Sequence, residues 1–498
     1  VTSIPDRGGP GVALATSAGR WIVAATVLGS GMASIDATVV GIALPSIGRE
    51  FHASFGTLQW VVAAYTLTLA ALLLLGGSLG DRLGRRRIFV LGVVWFTVAS
   101  VACAIAPSSG LLIAMRALQG VGAALLTPGS LAILQASFRP EDRGRAIGAW
   151  SGLGGVATAA GPLLGGYLLA VASWRWIFII NVPVGVLVVW LSGRHVPESS
   201  DPDAPRHTDV PGAVLGVLAL AGISFGLIEG PTRGWSDPSV VVATIAGVLA
   251  AVALVAVERR SPDPMVPPSI FAVRRFSVTN VVTFIVYAAL GGVLFLLPVL
   301  LQVVDGYTPL GAGVALLPLT AIMLVGSARS GRLAARIGPR PQMTIGPVVI
   351  GIGLVMLGRA STDSGYATGV LPGVIVLGVG LAITVAPLTM TALGALPAGH
   401  AGLASAVNND VARLGSLIAV SVLPAIAGIS GDLYLHPHAL ASGFRTAVFV
   451  AGGCCWAAAV LSAVGLRDTA PVPEAAPGQC FHCALEAAPL VTEARSRA

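Results

Sequence analysis

The chain has no lysine. All 29 of its basic residues are arginine, against 22 aspartates and glutamates together. Charged residues make up only 10% of the 498, while 55% are hydrophobic and mean hydropathy is +0.87. A soluble domain needs roughly 25% charged residues to keep its surface wet. A soluble globular fold is therefore excluded, and the composition indicates a polytopic membrane protein. Without lysine there is no GxxxxGK[ST] loop to cradle a nucleotide phosphate, so direct ATP drive is not expected. HExxH is missing, as is GxSxG with triad partners in a soluble domain. With no interfacial cluster of catalytic residues, the chain is not read as an enzyme. Cysteine is scarce, at five residues. Cys103, Cys454 and Cys455 stand in apolar segments. Cys480, His482 and Cys483 are one ligand short of a usual zinc site, with no second CxxC to complete it. No metal or cofactor is expected. The net charge of +7 would suggest nucleic acid in a soluble domain. Here the arginines stand in loops, so they report orientation in a bilayer rather than a nucleic-acid partner.

What is present is a series of apolar runs. A helix needs about 20 such residues to cross the hydrocarbon core. Fourteen segments qualify: 21–44, 58–79, 88–107, 110–133, 146–171, 175–193, 211–229, 239–257, 277–301, 310–328, 341–358, 369–391, 402–428 and 444–466. The first run is too long for a signal peptide's apolar region and reads as a spanning helix. With residues 1–20 placed in the cytoplasm, 22 arginines fall on the cytoplasmic side and only Arg49, Arg175, Arg233, Arg359 and Arg445 outside. That asymmetry predicts both termini inside and an even number of helices.

Two stretches in this series match. Gly77-Ser-Leu79-Gly80-Asp81-Arg82-Leu83-Gly84-Arg85-Arg86 follows the second segment, and Gly331-Arg-Leu333-Ala334-Ala335-Arg336-Ile337-Gly338-Pro-Arg340 follows the tenth. Both fall on the same side, so the repeats are parallel, related by an axis along the membrane normal. The expected fold is an all-α membrane protein with 14 transmembrane helices. It comprises an N-terminal six-helix half (21–195), a cytoplasmic linker (196–210), an inserted helix pair (211–257) and a C-terminal six-helix half (276–466). A disordered cytoplasmic tail (467–498), Ala- and Pro-rich, follows. In the first matched turn Gly77, Gly80 and Gly84 permit a sharp reversal, and Asp81 can pair with a neighbouring arginine. Ala335 replaces that acid in the second copy.

Ionisable residues inside the membrane need a reason, because each costs at least ~2.5–3.5 kcal/mol at the bilayer centre. Asp36 in the first segment and Arg116 in the fourth reach similar depth and are expected to face one cavity. Burial favours the neutral form of a carboxyl and a nearby guanidinium the charged form. A group held between these effects can load and release a proton; a static buried ion pair is the simpler alternative. Gln119 lies one turn from Arg116. The thirteenth segment holds Asn408, Asn409, Asp410 and Arg413, where Asp410 and Arg413 stand at i,i+3 and could pair locally or face a substrate. The fifth segment carries Gly148, Gly152, Gly155, Ala159, Pro162 and Gly166 along one face. Small residues at that spacing allow close backbone approach, and Pro162 removes a helix hydrogen bond. The expectation is a kinked, dry contact between the two halves.

Together these residues resemble the major facilitator superfamily, in its fourteen-helix drug/proton antiporter branch. Gly77 to Arg86 is similar to the superfamily's signature loop. Arg116-x-x-Gln119-Gly120-x-Gly122 resembles the fourth-helix motif linked to proton transfer. Gly155 to Gly166, with Gly161-Pro162-x-x-Gly165-Gly166, resembles the fifth-helix motif of antiporters. Ile35-Asp36-x-Thr38 to Leu44-Pro45, Gln59-Trp60, Tyr65 and Trp174 to Pro183 are also similar to that branch. Gly41 departs from it, standing where family members commonly carry Asn. Asn408 and Asn409 stand where exporters of dications carry acids, which favours a neutral or weakly charged substrate.

The resemblance implies a monomeric, proton-coupled exporter of an antibiotic or other hydrophobic small molecule in the bacterial inner membrane. Its partners are the drug, protons and the lipid bilayer. Asp36 and Arg116 are the expected proton-coupling pair. Gln119, Asn408, Asn409, Asp410 and Arg413 are the candidate substrate contacts. Gly77, Asp81, Arg82, Gly84, Arg85 and Arg86 form the candidate gate, and Gly155, Gly161, Pro162, Gly165 and Gly166 the antiporter motif. A nutrient symporter and a non-transporting polytopic membrane protein are the alternatives.

Overall fold

The computed structural model describes residues 11–202, 209–261, 264–359, 365–397 and 400–466. Fourteen helices among them are long and apolar enough to span a membrane. They are α1 (Ser17–Phe51), α2 (Phe55–Leu83), α3 (Arg85–Ala104), α4 (Ser109–Ser137), α5 (Pro140–Val171), α6 (Trp176–His195) and α7 (Val210–Arg233). The rest are α8 (Pro238–Arg260), α9 (Arg274–Val303), α10 (Pro309–Ile337), α11 (Arg340–Leu357), α12 (Tyr366–Leu393), α13 (Gly402–Ile426) and α14 (Pro437–Gly465). In lipid every backbone polar group must find its partner within the segment, and a helix does this. Most helices outrun their apolar runs, because the polar flanks continue the turn into the interface. The tail from 467 onward, with Cys480 and Cys483, and residues 203–208 of the linker lie outside the described residues.

Local chemistry places the helix ends. Thr16, Ser54, Ser108, Asp209, Asp237 and Thr308 each accept a backbone N–H of the following first turn, satisfying donors that a helix start leaves orphaned. Prolines place the breaks. α6, α10 and α12 are interrupted at Ile180, Leu316 and Val370, each two or three residues ahead of Pro183, Pro318 or Pro372. The proline ring clashes with the carbonyl four residues back and has no N–H to donate.

Packing repeats with a shift of eight helices. α4 packs on α2 and α3, as α12 packs on α10 and α11; α1 packs on α5 and α6, as α9 packs on α13 and α14. α7 and α8 pack on each other so closely that a Cβ on Gly222 would stand 2.7 Å from the Gly247 Cα. α7 also lies against α2 and α13, whereas α8 packs mainly on α7.

The turn between α2 and α3 is tighter than the sequence suggests. α2 continues as helix through Gly77 and Gly80 to Leu83, and α3 starts at Arg85, so Gly84 is the single residue between them. Its φ of +111° lies where an L side chain is strained. The reversal therefore rests on Gly84 alone. Gly77 instead faces Pro128 of α4, where a Cβ would make ordinary contact at 3.6 Å.

The first six and last six helices meet at the end of the molecule that carries the α1–α2 turn. Gln59 donates to the carbonyls of Val420 (2.7 Å) and Ser421 (3.4 Å). Gln302 donates to Ile42 O at 3.0 Å, Tyr434 Oη to Ala53 O at 2.8 Å, and Phe55 N to Gly431 O at 3.0 Å. Phe55 packs between Phe295 and Tyr434. α5 closes against α10 here: a Cβ on Gly166 would stand 2.6 Å from the Leu310 Cα. At the opposite end of α5, Gly148, Gly152, Gly154 and Gly155 have no atom within 4 Å of where a Cβ would stand. Only the Gly161–Gly166 part of the small-residue face is thus a dry contact. The Gly148–Gly155 part is unpacked. Lipid offers no hydrophobic drive to hold helices together, and each cross-seam hydrogen bond contributes about 0.5–1.5 kcal/mol net.

Candidate functional site

The charged centre lies inside the first six helices. Asp36 of α1 and Arg116 of α4 are each 1% exposed, and Arg116 Nη1 donates to Asp36 Oδ2 at 2.5 Å. The remaining valences are filled in turn. Gln119, one turn along α4, accepts from Arg116 Nη1 at 2.6 Å and donates through Nε2 to Asp36 Oδ1 and to Ser100 Oγ of α3, both at 2.8 Å. Asn181 of α6 donates to Ser100 Oγ at 3.2 Å and to Asp36 Oδ1 at 3.4 Å. Arg116 Nε donates to the carbonyl of Val61, and its guanidinium lies over the Tyr65 ring, 4.3 Å from the centroid. Tyr65 in turn donates to Ala33 O at 3.1 Å. Five helices thus converge on one buried ion pair. Removing one partner of such a pair leaves an uncompensated charge and costs about 3–5 kcal/mol.

Asp36 and Arg116 therefore meet, as their depths predict, but they are sealed from the space between the halves rather than facing a cavity. Gln119 is fully buried in this cluster, so the structure places it beside the charge pair and not as a substrate contact. Ser100 and Asn181 were not picked out as site residues. Asn181 opens the part of α6 that follows the Ile180 break, and that break aims its side chain inward. Ser100 carried no signal beyond a polar residue in an apolar run.

In the last six helices the candidate contacts separate. Asn408 is 6% exposed and donates to Asn280 Oδ1 (3.1 Å) and Thr283 Oγ1 (2.8 Å) of α9. It ties α13 to α9. Asn409 is exposed and donates to Ser405 O of its own helix. Asp410 and Arg413 form no ion pair: the carboxylate Oδ1 is buried without a hydrogen-bond partner, and Arg413 makes no hydrogen bond among the described residues. Arg413 is half-buried and interacts electrostatically with Asp410 without forming a close ion pair.

The candidate gate is held by the segment that follows α6. Asp81 pairs with Arg85, one turn on, at 2.8 Å. Glu198 Oε1 accepts the backbone N–H of Arg86 at 3.0 Å, and Arg85 N donates to Ser199 O at 2.8 Å. The carboxylate thus caps α3, where free N–H groups and the helix dipole favour an anion. It also lies 3.6 Å from Arg86 Nε and 3.7 Å from Arg87 Nε. Asp201 N donates to Asp81 O at 2.8 Å. A Cβ on Gly84 would stand 2.8 Å from the Glu198 carboxylate, so any larger residue would displace that carboxylate as well as strain φ. Glu198 went unrecognised in the sequence, because nothing local links it to a turn more than a hundred residues earlier.

Residues 26–420 match the family described as Major Facilitator Superfamily. The chain belongs to that superfamily. It is a multi-pass membrane transporter, not an enzyme. It is 36% identical to the multidrug resistance protein Stp of Mycobacterium tuberculosis over 83% of this chain and 77% of that one. With the puromycin resistance protein pur8 of Streptomyces alboniger it shares 37% identity over 81% of each chain. With the tetracenomycin C resistance and export protein of Streptomyces glaucescens it shares 33% over 91% of this chain and 81% of the relative. The fold is similar to that of a bacterial homologue of the human lysosomal transporter Spinster, solved inward-facing and unoccupied. The TM-score is 0.64 at 18% identity, covering 91% of this chain and 97% of that one. The xylose transporter XylE from E. coli gives 0.61 at 17% identity, covering 90% and 96%.

Proposed function

We propose that this transporter exports an antibiotic or other drug-like molecule across the bacterial cell membrane in exchange for protons. The observation that carries the proton assignment is the sealed Asp36–Arg116 pair with Gln119, Ser100 and Asn181 around it. Protonating Asp36 releases Arg116 from a bond that costs several kcal/mol to break. A change of that size can bias which end of the molecule is open. The arginine asymmetry supports cytoplasmic termini, which makes the contacted end the outer one and the Gly148–Gly155 end the inner one. The eight-helix shift in packing supports two six-helix halves, 21–195 and 276–466, joined by a 196–210 linker, with 211–257 as an inserted pair. In this reading the halves rock about a site at mid-membrane, and one copy of the chain suffices. One proton crossing ~150 mV supplies about 3.5 kcal/mol. The names of the relatives support a drug as the cargo.

Asp36→Asn in proteoliposomes tests the assignment. Export driven by an imposed proton gradient is expected to fall to background while drug binding stays measurable. Undiminished export by this variant overturns Asp36 as the proton site. Uptake of the drug into cells, in place of efflux, overturns export itself.

A further inference from the structure

The eight-helix shift makes the α5–α10 and α2–α13 seams counterparts, since α2 answers to α10 and α5 to α13. The two seams are filled differently. At α5–α10 the backbones meet through glycine: a Cβ on Gly166 would stand 2.6 Å from the Leu310 Cα, and one on Gly313 would collide with Pro162 O. At α2–α13 no glycine of either helix faces the other among the described residues. There α7 fills the seam, and its Ile228 forms one apolar cluster with Ala63 and Leu67 of α2 and Leu417 of α13.

α7 holds its two neighbours unequally. To α2 it is bonded. Trp60 Nε1 donates to Glu229 Oε1 at 3.1 Å, and the Trp60 and Phe225 rings lie 6.3 Å apart. Arg233 fixes the second Glu229 oxygen at 2.7 Å. A Cβ on Gly56 would stand 3.5 Å from Ile228 Cγ2, and one on Gly216 would stand 3.9 Å from Ala71 O. Ile228 and Gly216 are about 18 Å apart along the helix, so α7 follows α2 over most of a membrane's depth. With α13 it shares apolar packing, and among the described residues no hydrogen bond or ion pair joins the two. α8 goes with α7, since a Cβ on Gly226 would collide with Thr244. The tie to the last six helices lies at the other end of the pair, where Glu258 accepts Val266 N at 3.3 Å and Val266 packs with Phe276 and Ala404. In lipid, apolar side chains exchange one another for acyl chains at little cost. A buried hydrogen bond, once broken, leaves its groups unsatisfied. The bonded face is therefore the fixed one and the apolar face the one that can slip.

We propose that the inserted pair α7–α8 is a sliding seal. α7 is fastened to α2, travels with the first six helices, and slides over α13 as the halves rock. It keeps lipid acyl chains out of a seam that lacks the glycines to close on itself. This role rests on the two-half transport cycle proposed above.

The test uses the full-length chain in proteoliposomes, with its five cysteines replaced by alanine and new pairs introduced. Oxidising Gly56→Cys with Ile228→Cys bridges α7 to α2, and drug export is expected to stay within about twofold of the reduced form. Oxidising Ala221→Cys with Leu417→Cys bridges α7 to α13, and export is expected to fall by about tenfold and to recover on reduction, a recovery that a misfolded chain cannot show. Loss at the first bridge, or none at the second, overturns the sliding seal. Ala63 is fully buried, so Ala63→Cys is expected to stay unlabelled by a membrane-dissolved maleimide during turnover; labelling overturns the exclusion of lipid. A distance measurement needs no cargo. Gly110, Ser236 and His438 are exposed, and spin labels are placed in pairs on Gly110→Cys, Ser236→Cys and His438→Cys. Under conditions that change the 110–438 spacing, the 110–236 spacing is expected to hold while 236–438 shifts by about 5 Å, one helical turn. A 236–438 spacing that holds instead overturns the proposal. If the reduced chain exports no drug, the export reading falls, and the three spacings still decide whether α7 slides.

Discussion

The α2–α3 and α10–α11 turns are copies of one pattern that the two halves use differently. In both, a glycine at the same register has positive φ, +111° at Gly84 and +82° at Gly338. In both, the arginine two residues later reaches the carbonyl at the end of the last helix of its half. Arg86 donates to Val196 O at 3.2 Å, and Arg340 to Ala463 O at 2.8 Å. Among the described residues the first copy adds a charged layer, in which Asp81 holds Arg85 and Glu198 caps α3. Its counterparts in the second copy are Ala335 and Pro339, which can neither give nor take an ion pair. The lesson is that the two copies share the backbone turn and one arginine clamp, while the Asp81–Arg85 pair has no counterpart at Ala335 and Pro339.

That contrast can be broken by substitution, and the largest expected effect is at the glycines. Gly84→Ala meets both the positive φ and the Glu198 carboxylate, and drug efflux is expected to drop by about tenfold or more, 1.4 kcal/mol per decade. Gly338 has nothing within 4 Å of a Cβ position, so Gly338→Ala carries only the conformational penalty of ~1–3 kcal/mol and is expected to lose less efflux than Gly84→Ala. Equal losses at the two sites would erase the distinction. Glu198→Gln comes next. The Glu198 side chain is 30% exposed, so losing its charge is expected to cost about 1 kcal/mol. Limited proteolysis should then cut residues 196–202 faster while cleavage between α10 and α11 stays unchanged. Arg86→Ala and Arg340→Ala follow, each removing a carbonyl clamp worth about 0.5–1.5 kcal/mol. Matching drops in the thermal midpoint would support the shared backbone role, and a drop at Arg86 alone would contradict it. The smallest effect belongs to Ala335→Asp. Pro339 stands where Arg85 would receive the new carboxylate, so stability should move by less than ~0.5 kcal/mol. A clear gain in efflux from this variant would show that the acid, and not its partner, is what the second copy lacks.

Much of this was legible in the residues. The spans follow from apolar runs, the halves from the matched turns, and the meeting of Asp36 with Arg116 from their equal depth in antiparallel helices. The environment of each group was not legible. Gln119 was expected to face substrate and instead bonds Asp36, because Ser100 and Asn181 from two other helices complete its hydrogen bonds. The face of α5 was expected to be one continuous contact and is closed only from Gly161 to Gly166, because the halves diverge along its length. Asp410 and Arg413 stood at pairing distance in sequence and remain apart in the fold.

Sequence alone determined the solvent, the element type and the number of spans. Bilayer thickness and the need to satisfy backbone groups inside lipid leave a long apolar run few alternatives to a helix. Composition also leaves no lysine for a GxxxxGK[ST] loop in this chain. Tertiary structure decided which polar groups are paired, which are sealed and which are left open. Those outcomes depend on side chains that reach across from other segments, as Glu198 does to Arg86 and Asn181 to Asp36. No periodicity within one segment encodes them.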